Sequence, residues 1–281
     1  MYKNKREIKE LIEFVFKMLI GVIMIYPVLW MFFSSFKENR EIFNELQKML
    51  PDSFDFKKYV TGWAGFGGVS FGTFFKNSFV ITVIGTIGAV CSSAFIAFGF
   101  ARCRFKFRNF WFVCMLLTMM LPGQVTMIPK YIIFNKIGWV GTILPLVVPA
   151  FTGEAFFIFL IMQFIRGIPR ELDEAAKIDG CSSLNLFTKV ILPLSKPALV
   201  TAGIFSFMWK WDDFMGPLMY LNKPKMYTAS LAIKMFADSS SLSDWGSLFA
   251  MATLSLVPIF LIFVVFQKYL VEGIATSGLK G

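Results

Sequence analysis

The sequence predicts an all-α membrane protein with six membrane-spanning helices. Of its 281 residues, 56% are hydrophobic and only 16% are charged, whereas soluble domains average about 25% charged residues. Apolar runs of roughly 20 residues recur along the chain, and each is long enough to cross the hydrocarbon core of a bilayer. The net charge of +10 also fits a membrane protein, because basic residues collect on cytoplasmic loops beside anionic headgroups. We therefore expect no nucleic-acid partner.

Hydropathy and helix-breaking residues place the spans along one membrane domain, residues 1–281, which opens with a basic tail at residues 1–13. The first apolar run is too long for a signal peptide, and no small-residue cleavage site follows it. We expect Pro122 and Pro129 to break or end the third span, and Pro217 to end the fifth. The predicted spans lie within Phe14 to Phe33, Ser78 to Phe100, the segment from Phe110, Thr142 to Phe164, Ala198 to Tyr220, and Leu248 to Val271.

Charge in the short loops orients these spans. Between spans two and three the chain carries four basic residues and no acid, which indicates a cytoplasmic loop. These residues are Arg102, Arg104, Lys106 and Arg108. The parity of six spans then places both termini and segment 166–197 in the cytoplasm, and segment 36–76 outside. The sequence therefore predicts a multi-pass protein of the cell membrane with cytoplasmic N- and C-termini.

A charged segment between spans four and five contrasts with the apolar chain around it. Three acids within residues 171–174 place negative charge at the positive end of a helix dipole, and Pro169 suits a first helical position. Gly180 provides a stop for this helix, and Ser182 or Ser183 is expected to cap a second short helix. The pattern predicts a helix–turn–helix in water, with two small alanines on a surface that another protein grips.

This segment resembles the EAA loop of ABC-importer permeases. An acid, two alanines, an Asp–Gly pair, a Phe and two prolines keep the family spacing over about two dozen positions. In that family the loop forms the coupling helices that dock into a cleft of the cytoplasmic ATPase subunit. The resemblance implies polar contacts from the acids, close packing at Ala and Gly, and an apolar anchor at Phe. The implied ATPase-coupling residues are Glu174, Ala175, Ala176, Asp179, Gly180, Phe187, Pro193 and Pro197.

Flanking motifs resemble the carbohydrate-uptake, MalG-like branch of that family. They include Pro27-Val-Leu-Trp30 with Ser34-Ser-Phe-Lys37, Ile158-Phe-Leu160, and Phe266-Gln-Lys-Tyr-Leu-Val-Glu-Gly273 followed by Gly278-Leu-Lys-Gly281. In that branch the C-terminal tail, here residues 272–281, reaches between the ATPase subunits. The implied contact positions are Val271, Glu272, Gly273 and Gly281. The fifth span departs from the family's Trp-Asn-Asp-Phe, because Asp212 takes the usual Asn position.

The resemblance implies an importer assembled around this chain. Its other parts would be a second homologous permease, two ATP-binding cassette ATPase subunits, an extracellular solute-binding protein and a carbohydrate substrate. No cofactor is expected on this chain, since ATP and Mg would bind the ATPase subunits. The residues agree with a non-catalytic subunit, because His is absent and no phosphate-binding Gly-x-x-x-x-Gly-Lys-Ser/Thr run occurs.

Acidic residues at membrane depth are costly, which makes them candidates for the substrate pathway. At 1.5 Å per residue, Glu154 lies ~22 Å above the cytoplasmic end of span four, and Asp212 and Asp213 lie ~20 Å up span five. The alternative is that these acids lie at the outer interface, paired with Lys210. Both interpretations remain open from the sequence.

Aromatic residues share a helix face with one of these acids. Phe205, Trp209 and Asp212 recur at i, i+4 and i+7, which places them on one side of span five. Rings stack on the apolar face of a sugar, and carboxylates accept hydrogen bonds from its hydroxyls. The face is therefore a candidate sugar-binding surface.

Two other function classes are compatible with the chain. One keeps the superfamily but carries an amino acid, a peptide, phosphate or a metal. The other is a channel, secondary transporter or membrane anchor that uses no ATPase. A secondary transporter should show broken-helix repeats and paired intramembrane ion ligands, and it would not need the loop around Glu174.

Overall fold

The computed structural model describes residues 2–44, 48–238 and 244–278, with the backbone alone at 2–8, 236–238 and 270–278. Within these ranges the only β pairing is an isolated bridge between Phe66 and Val69, so the all-α prediction is confirmed. The α-helices are α1 (Tyr2–Ser34), α2 (Asn39–Asn44), α3 (Lys57–Ala64), α4 (Phe71–Arg102), α5 (Arg108–Met120), α6 (Gly123–Lys136), α7 (Leu144–Val147), α8 (Ala155–Gly167), α9 (Glu171–Ile178), α10 (Ser183–Leu186), α11 (Leu192–Leu194), α12 (Lys196–Trp211), α13 (Met215–Tyr220), α14 (Ala229–Asp238) and α15 (Trp245–Gly278).

Between four and six segments of the described chain are suited to crossing a membrane. Four are long and apolar enough by themselves: Lys9–Ser34, Phe71–Arg102, Leu144–Gly167 and Trp245–Tyr269. Two further pairs qualify only if each bent pair forms one span: Arg108–Met120 with Gly123–Lys136, bent by 100°, and Ser183–Leu194 with Lys196–Trp211, bent by 76°. The chain is therefore a multi-pass membrane protein.

The two prolines of the predicted third span behave differently. The chain bends sharply at Pro122, between α5 and α6, as expected for a residue that disfavours a helical neighbour before it. Pro129 instead lies inside α6, which continues to Lys136, so the prediction of a second break was wrong. Apolar helices tolerate an internal proline when local adjustments satisfy the freed carbonyl.

The predicted fifth span ends earlier than expected. Helix α12 stops at Trp211, and α13 begins at Met215, so Pro217 lies inside a second short helix. The Asp213 carboxylate accepts a hydrogen bond from the backbone N–H of Gly216 at 3.0 Å. A local side-chain-to-backbone bond of this kind competes with continuation of the helix. The break therefore lies at Asp213, ahead of the proline.

The chain divides into two compact units, Met1–Phe71 with Ile233–Leu256, and Gly72–Ala232 with Val257–Gly281. The second unit contains a core cluster to which α4, α8 and α12 contribute. Helix α4 supplies mainly small side chains, which let neighbouring helices approach closely. Helix α8 supplies large ones at helical spacing. The buried residues of α8 are Phe157, Ile158, Ile161, Met162 and Ile165.

In the first unit, the half-buried Lys58 connects α3 to the start of α15. Lys58 Nζ lies 2.7 Å from a Glu38 oxygen and 3.1 Å from an Asp244 oxygen. Burial lowers the pKa of Lys58, but hydrogen bonds and charge from the two acids outweigh it and leave this pKa raised. Burial likewise raises the pKa of Asp244, but bonds from Ser247 and Lys58 leave it lowered. Both shifts favour the charged pair in the folded protein.

Asp244→Asn is expected to lower the thermal midpoint of the protein near neutral pH. Because the folded-state pKa of Asp244 is lowered, its carboxylate stabilises the fold above the unfolded pKa, near 4, and this contribution is lost as pH falls through the folded value. Thermal unfolding in detergent should therefore show the wild type and the variant converging as the pH falls below about 4. Glu13→Gln is the control, since its exposed ion pairs are 3.9 and 4.0 Å long. A midpoint difference that does not change with pH would contradict the assignment.

Gly246→Ala is expected to destabilise the first unit. A Cβ at Gly246 would lie 2.5 Å from the carbonyl oxygen of Lys37, and relieving such overpacking typically costs about 1–3 kcal/mol. Gly203→Ala is the matched control, because its Cβ would meet only Val90 at 4.0 Å and Ala favours a helix over Gly by about 1 kcal/mol. Equal thermal midpoints for the two variants in detergent would contradict the close contact between Gly246 of α15 and the carbonyl oxygen of Lys37.

Candidate functional site

Residues 166–197, here termed the charged loop, fold as the expected helix–turn–helix. Helix α9 has its acids in the first turn and Lys177 in the last, which complements the helix dipole. It begins at Glu171 with Arg170 as its cap, so Pro169 precedes the helix rather than opening it. After Ile178 the chain reverses at Gly180, whose φ is +75°. That left-handed conformation explains why glycine ends this helix.

The second half of the charged loop is a helix of changing pitch. The Ser182 hydroxyl accepts a hydrogen bond from the Asn185 N–H at 3.3 Å, which confirms the expected cap of α10. The chain continues as a π-helix over Phe187–Ile191 and then as α11. At Ser195 it turns by 76° into α12. Wide π turns of this kind are rare and occur frequently at functional sites.

One face of the charged loop is buried within this chain. Ala176 and Phe187 are 7% and 8% exposed, and both belong to the core cluster. The Phe187 ring lies 5.1 Å from that of Phe98 and 5.7 Å from that of Phe95, both on α4. The prediction that Ala176 lies on the surface was therefore wrong. Phe187 anchors the loop to its own chain, because α4 buries this side of it.

A buried ion pair accompanies these apolar contacts. Arg102, the last residue of α4, places Nε 3.3 Å from Asp173 Oδ2, and the two side chains are 3% and 11% exposed. The Arg102 guanidinium also donates to the carbonyl oxygen of Ile168 at 2.6 Å. Sequence reasoning missed this pair, because it assigned Arg102 to membrane orientation and Asp173 to the helix dipole. Only the fold brings the two together.

The opposite face of the charged loop is open to solvent. The exposed predicted coupling residues are Glu174, Ala175, Asp179, Gly180 and Pro193, and Pro197 is half-buried. Between them lie two apolar side chains that the sequence reasoning did not select, Ile178 at 86% and Leu184 at 61% exposure. These two side chains give the open face of the loop an apolar component among its charged residues.

A second candidate site surrounds a break in span four. After α7 the chain forms a 3₁₀ turn over Val148–Thr152, and Gly153 then adopts a φ of +89°. Two serines of α4 hold this break: Ser92 donates to the Ala150 carbonyl at 3.0 Å, and Ser93 accepts from the Glu154 N–H at 3.1 Å. The break therefore fixes Glu154 in an extended conformation directly before α8.

Glu154 pairs with a lysine, as one of the two sequence interpretations proposed. Lys210 Nζ lies 2.6 Å from Glu154 Oε1, with side chains 19% and 30% exposed. The lysine stem crosses Gly85 of α4, where an added Cβ would approach Lys210 Cδ to 2.9 Å. This pair connects the start of α8 to α12, so each charge has an opposite charge beside it.

Aromatic rings from α8 and α12 cluster beside this pair. Trp209 stacks on Phe157 at 5.3 Å and lies 5.2 Å from Phe156 and 6.1 Å from Phe205. Half of the Trp209 surface remains exposed. The predicted face of α12 thus carries an accessible aromatic platform, while Asp212 and Asp213 lie at the break that follows the helix.

The remaining predicted positions lie at the C-terminus. Val271, Glu272 and Gly273 belong to α15, of which only the backbone is described there, and Gly281 lies outside the described residues. Across the described ranges, no group of three or more His, Cys, Asp or Glu side chains is arranged to hold a metal ion.

The fold is that of a multi-pass membrane protein with a charged helix–turn–helix loop, and the comparisons with known proteins assign it to the class of transport permease subunits. The chain belongs to the binding-protein-dependent transport system inner membrane component family, whose model matches residues 89–276. It is 36% identical to the probable ABC transporter permease protein YurM of Bacillus subtilis, over 99% of this chain and 91% of that protein. It is 28% identical to the arabinooligosaccharides transport system permease protein AraQ of Halalkalibacterium halodurans, over 93% of each chain.

The same fold occurs in a solved structure. A chain of a bacterial ABC transporter involved in the import of the acidic polysaccharide alginate superposes with a TM-score of 0.82, at 21% identity, over 94% of this chain and 96% of that one. The likeness covers nearly all of both chains, so the permease fold extends beyond the segment matched by the family model.

Breaking the Glu154–Lys210 pair is expected to destabilise the second unit. Glu154→Gln and Lys210→Met should each lower the unfolding free energy by roughly 1–3 kcal/mol, because each leaves a partly buried charge without its partner. Methionine keeps an unbranched apolar stem across Gly85. In detergent unfolding, the double variant should lose less than the sum of the single losses. Strictly additive losses would show that the two side chains do not interact.

Proposed function

We propose that this chain is one permease subunit of an ATP-driven ABC importer that moves a carbohydrate into the cytoplasm by alternating access. The observation that carries this proposal is the two-sided charged loop. Its inner face is fastened to α4 by Phe187 and Asp173, and its outer face presents Ile178 and Leu184 among charged residues. Such a loop is suited to bind a partner protein outside the membrane and to pass that partner's movement to the spans.

The proposed ATPase contact surface is the exposed face of the loop. Glu174 and Asp179 would make polar contacts, Ala175 and Gly180 would allow close packing, and Ile178 would enter an apolar part of the partner's cleft. Exposed apolar side chains ringed by polar ones are typical of such interfaces. Ala176 and Phe187 are assigned to fastening the loop, and Pro193 and Pro197 to the joint with α12.

Orientation and assembly complete the proposal. We assign six spans, with both termini, the basic segment after α4 and the charged loop in the cytoplasm, as the positive charge of the short loops favours. A second homologous permease, two ATPase subunits carrying ATP and Mg, and an extracellular solute-binding protein would complete the importer. The C-terminal positions Val271, Glu272, Gly273 and Gly281 would reach the ATPase subunits.

The proposed substrate is a sugar or oligosaccharide. The similarity to AraQ, a permease protein for arabinooligosaccharides, supports this class. The half-exposed Trp209 offers a stacking surface beside Phe205, and the carboxylates of Glu154, Asp212 and Asp213 would accept hydrogen bonds from sugar hydroxyls. We assign these five residues to the substrate pathway.

The proposed cycle couples ATP binding and hydrolysis to the side of the membrane on which the substrate pathway is open. ATP binding would close the ATPase pair and displace the charged loop, and the spans fastened to it would open the cavity to the binding protein. Hydrolysis would reverse the displacement and release the sugar inside. A permease for a non-sugar solute is the second candidate, and it shares every step except recognition at Trp209.

Reconstitution tests the proposal directly. The chain, co-expressed with its partners and placed in proteoliposomes, should show ATP hydrolysis stimulated by the binding protein together with a member of a sugar panel. Gly180→Pro should abolish this coupling, because Gly180 has a φ of +75° and proline is locked near −65°. If no ATPase co-purifies and Gly180→Pro still transports, the chain is a channel or a secondary transporter. Stimulation by a non-sugar solute alone would favour the second candidate.

Ile178→Ser is expected to weaken ATPase binding without affecting the fold. Burying an isoleucine contributes about 1.5–3 kcal/mol, so its loss should reduce affinity for the ATPase by about tenfold or more. Titration of the detergent-purified permease pair with ATPase measures this affinity. Val60→Ser in α3 is the matched control, since that side chain is 71% exposed but lies outside the proposed contact surface. Equal affinities for the two variants would remove Ile178 from the interface.

A further inference from the structure

We propose that Arg102 is a positioning residue that makes α4 the rigid receiver of the movement of the charged loop. This inference rests on the proposed function, because it takes an ATPase to be the source of that movement. It assigns the main mechanical connection to α4, a span that precedes the loop in sequence. Pro193 and Pro197, which lead into α12, then belong to a joint rather than to the main connection.

The Arg102 side chain joins three elements. It ends α4, places Nε 3.3 Å from Asp173 Oδ2 in the first turn of α9, and donates from Nη2 to the Ile168 carbonyl at 2.6 Å. Ile168 follows the last residue of α8. The ends of two membrane helices and the start of the loop helix therefore meet at one guanidinium.

The chemistry of this contact makes it stiff. Both side chains are almost completely removed from solvent, so salt screens their attraction little. The hydrogen bond from Nη2 to the Ile168 carbonyl fixes the direction of the planar guanidinium, and Nε is then held beside Asp173 by charge attraction rather than by a hydrogen bond. Asp173 lies at the positive end of α9, and the carbonyl of Ile168 lies at the negative end of α8, so both helix dipoles favour the arrangement.

Apolar packing supports the same connection. The Phe187 ring contacts Phe95 and Phe98 of α4 at 5.7 and 5.1 Å, and Ala176 and Ile191 lie in the same buried cluster. Close-packed interiors transmit strain rather than absorb it. Two helical segments of the loop, α9 and the π-helix, are thus fixed to one end of α4.

The route into α12 is built differently. The chain from Phe187 passes through a π-helix and then bends by 76° at Ser195 before α12 begins. Because the buried cluster holds the π-helix at Phe187 and Ile191, the sharp bend at Ser195 is the place where this route can flex. We infer that this joint lets α12 change its angle while the loop and α4 move together.

The test measures substrate transported per ATP hydrolysed by the complete importer in proteoliposomes. Arg102→Gln and Asp173→Asn remove one charge each, and the reversed pair Arg102→Asp with Asp173→Arg restores opposite charges. Arg104→Gln and Glu171→Gln are matched controls, because both residues are exposed and lie close to the pair. Co-purification of the ATPase is recorded for every variant. If Arg102→Gln does not assemble, Arg102→Lys is measured in its place.

We expect assembled Arg102 and Asp173 variants to hydrolyse ATP with substrate transported per ATP reduced by roughly fivefold or more. The controls should match the wild type, and the reversed pair should recover part of the loss. It should not recover all of it, because the shorter, acidic side chain of Arg102→Asp cannot donate to the Ile168 carbonyl. A purely structural role would lower the amount of assembled complex and leave the ratio unchanged.

An unchanged ratio in the assembled Arg102 and Asp173 variants would overturn the inference. Equal losses in the Arg104 and Glu171 controls would also overturn it, because the effect would then be one of general surface charge. Failure of the proposed function gives a different result. The wild-type complex would then show no binding-protein-stimulated hydrolysis and no ATP-dependent transport at all.

Discussion

The packing of the charged loop against the end of α4 is the constraint on which the functional arrangement depends. Phe187 fills a buried position beside Phe98, and the Arg102–Asp173 pair fixes the orientation of α9 above it. With these contacts made, the loop has only one face left for another protein. The exposure of Ile178 and Leu184 on that face is a consequence of how the other face is buried.

The same helix, α4, also organises the second site. Its paired serines hold the interrupted segment before α8, and its Gly85 leaves space for the stem of Lys210. The charge of Glu154 is therefore compensated within the second unit by Lys210, whose Nζ lies 2.6 Å from Glu154 Oε1. Helix α4 thus contacts both the proposed ATPase-facing loop and the proposed pathway residues. This helix therefore connects the proposed ATPase contact surface to the proposed substrate pathway directly.

The sequence predicted those features that depend on neighbouring residues. The acids of the first turn, the reversal at Gly180 and the cap at Ser182 are local signals, and each was found where the pattern indicated. The family resemblance added the expected role of the loop. The pairing of Glu154 with Lys210 was one of two interpretations, because a pairing between two helices is not encoded in the spacing within either one.

Features that depend on distant parts of the chain escaped prediction. Contacts with α4 decide which face of the charged loop is buried. Because the sequence of the loop does not contain these contacts, Ala176 was expected at the surface and Ile178 was overlooked. Asp173 pairs with Arg102 at the end of α4, a residue that the sequence analysis used only for orientation. The early end of α12 lies beside the hydrogen bond between Asp213 and Gly216, whereas the proline at residue 217 was the more obvious helix breaker.

Chemical labelling of residue 178 tests the central claim most directly. In a background without the four native cysteines, the variants Ile178→Cys and Phe187→Cys would be treated with a maleimide before and after ATPase assembly. The two-faced loop predicts that the thiol of the Ile178→Cys variant reacts rapidly in the isolated chain and is protected in the assembled importer. The thiol of the Phe187→Cys variant should be unreactive in both states. Equally rapid labelling of Ile178→Cys in the assembled importer would contradict the account, because the exposed face would then not be the ATPase contact.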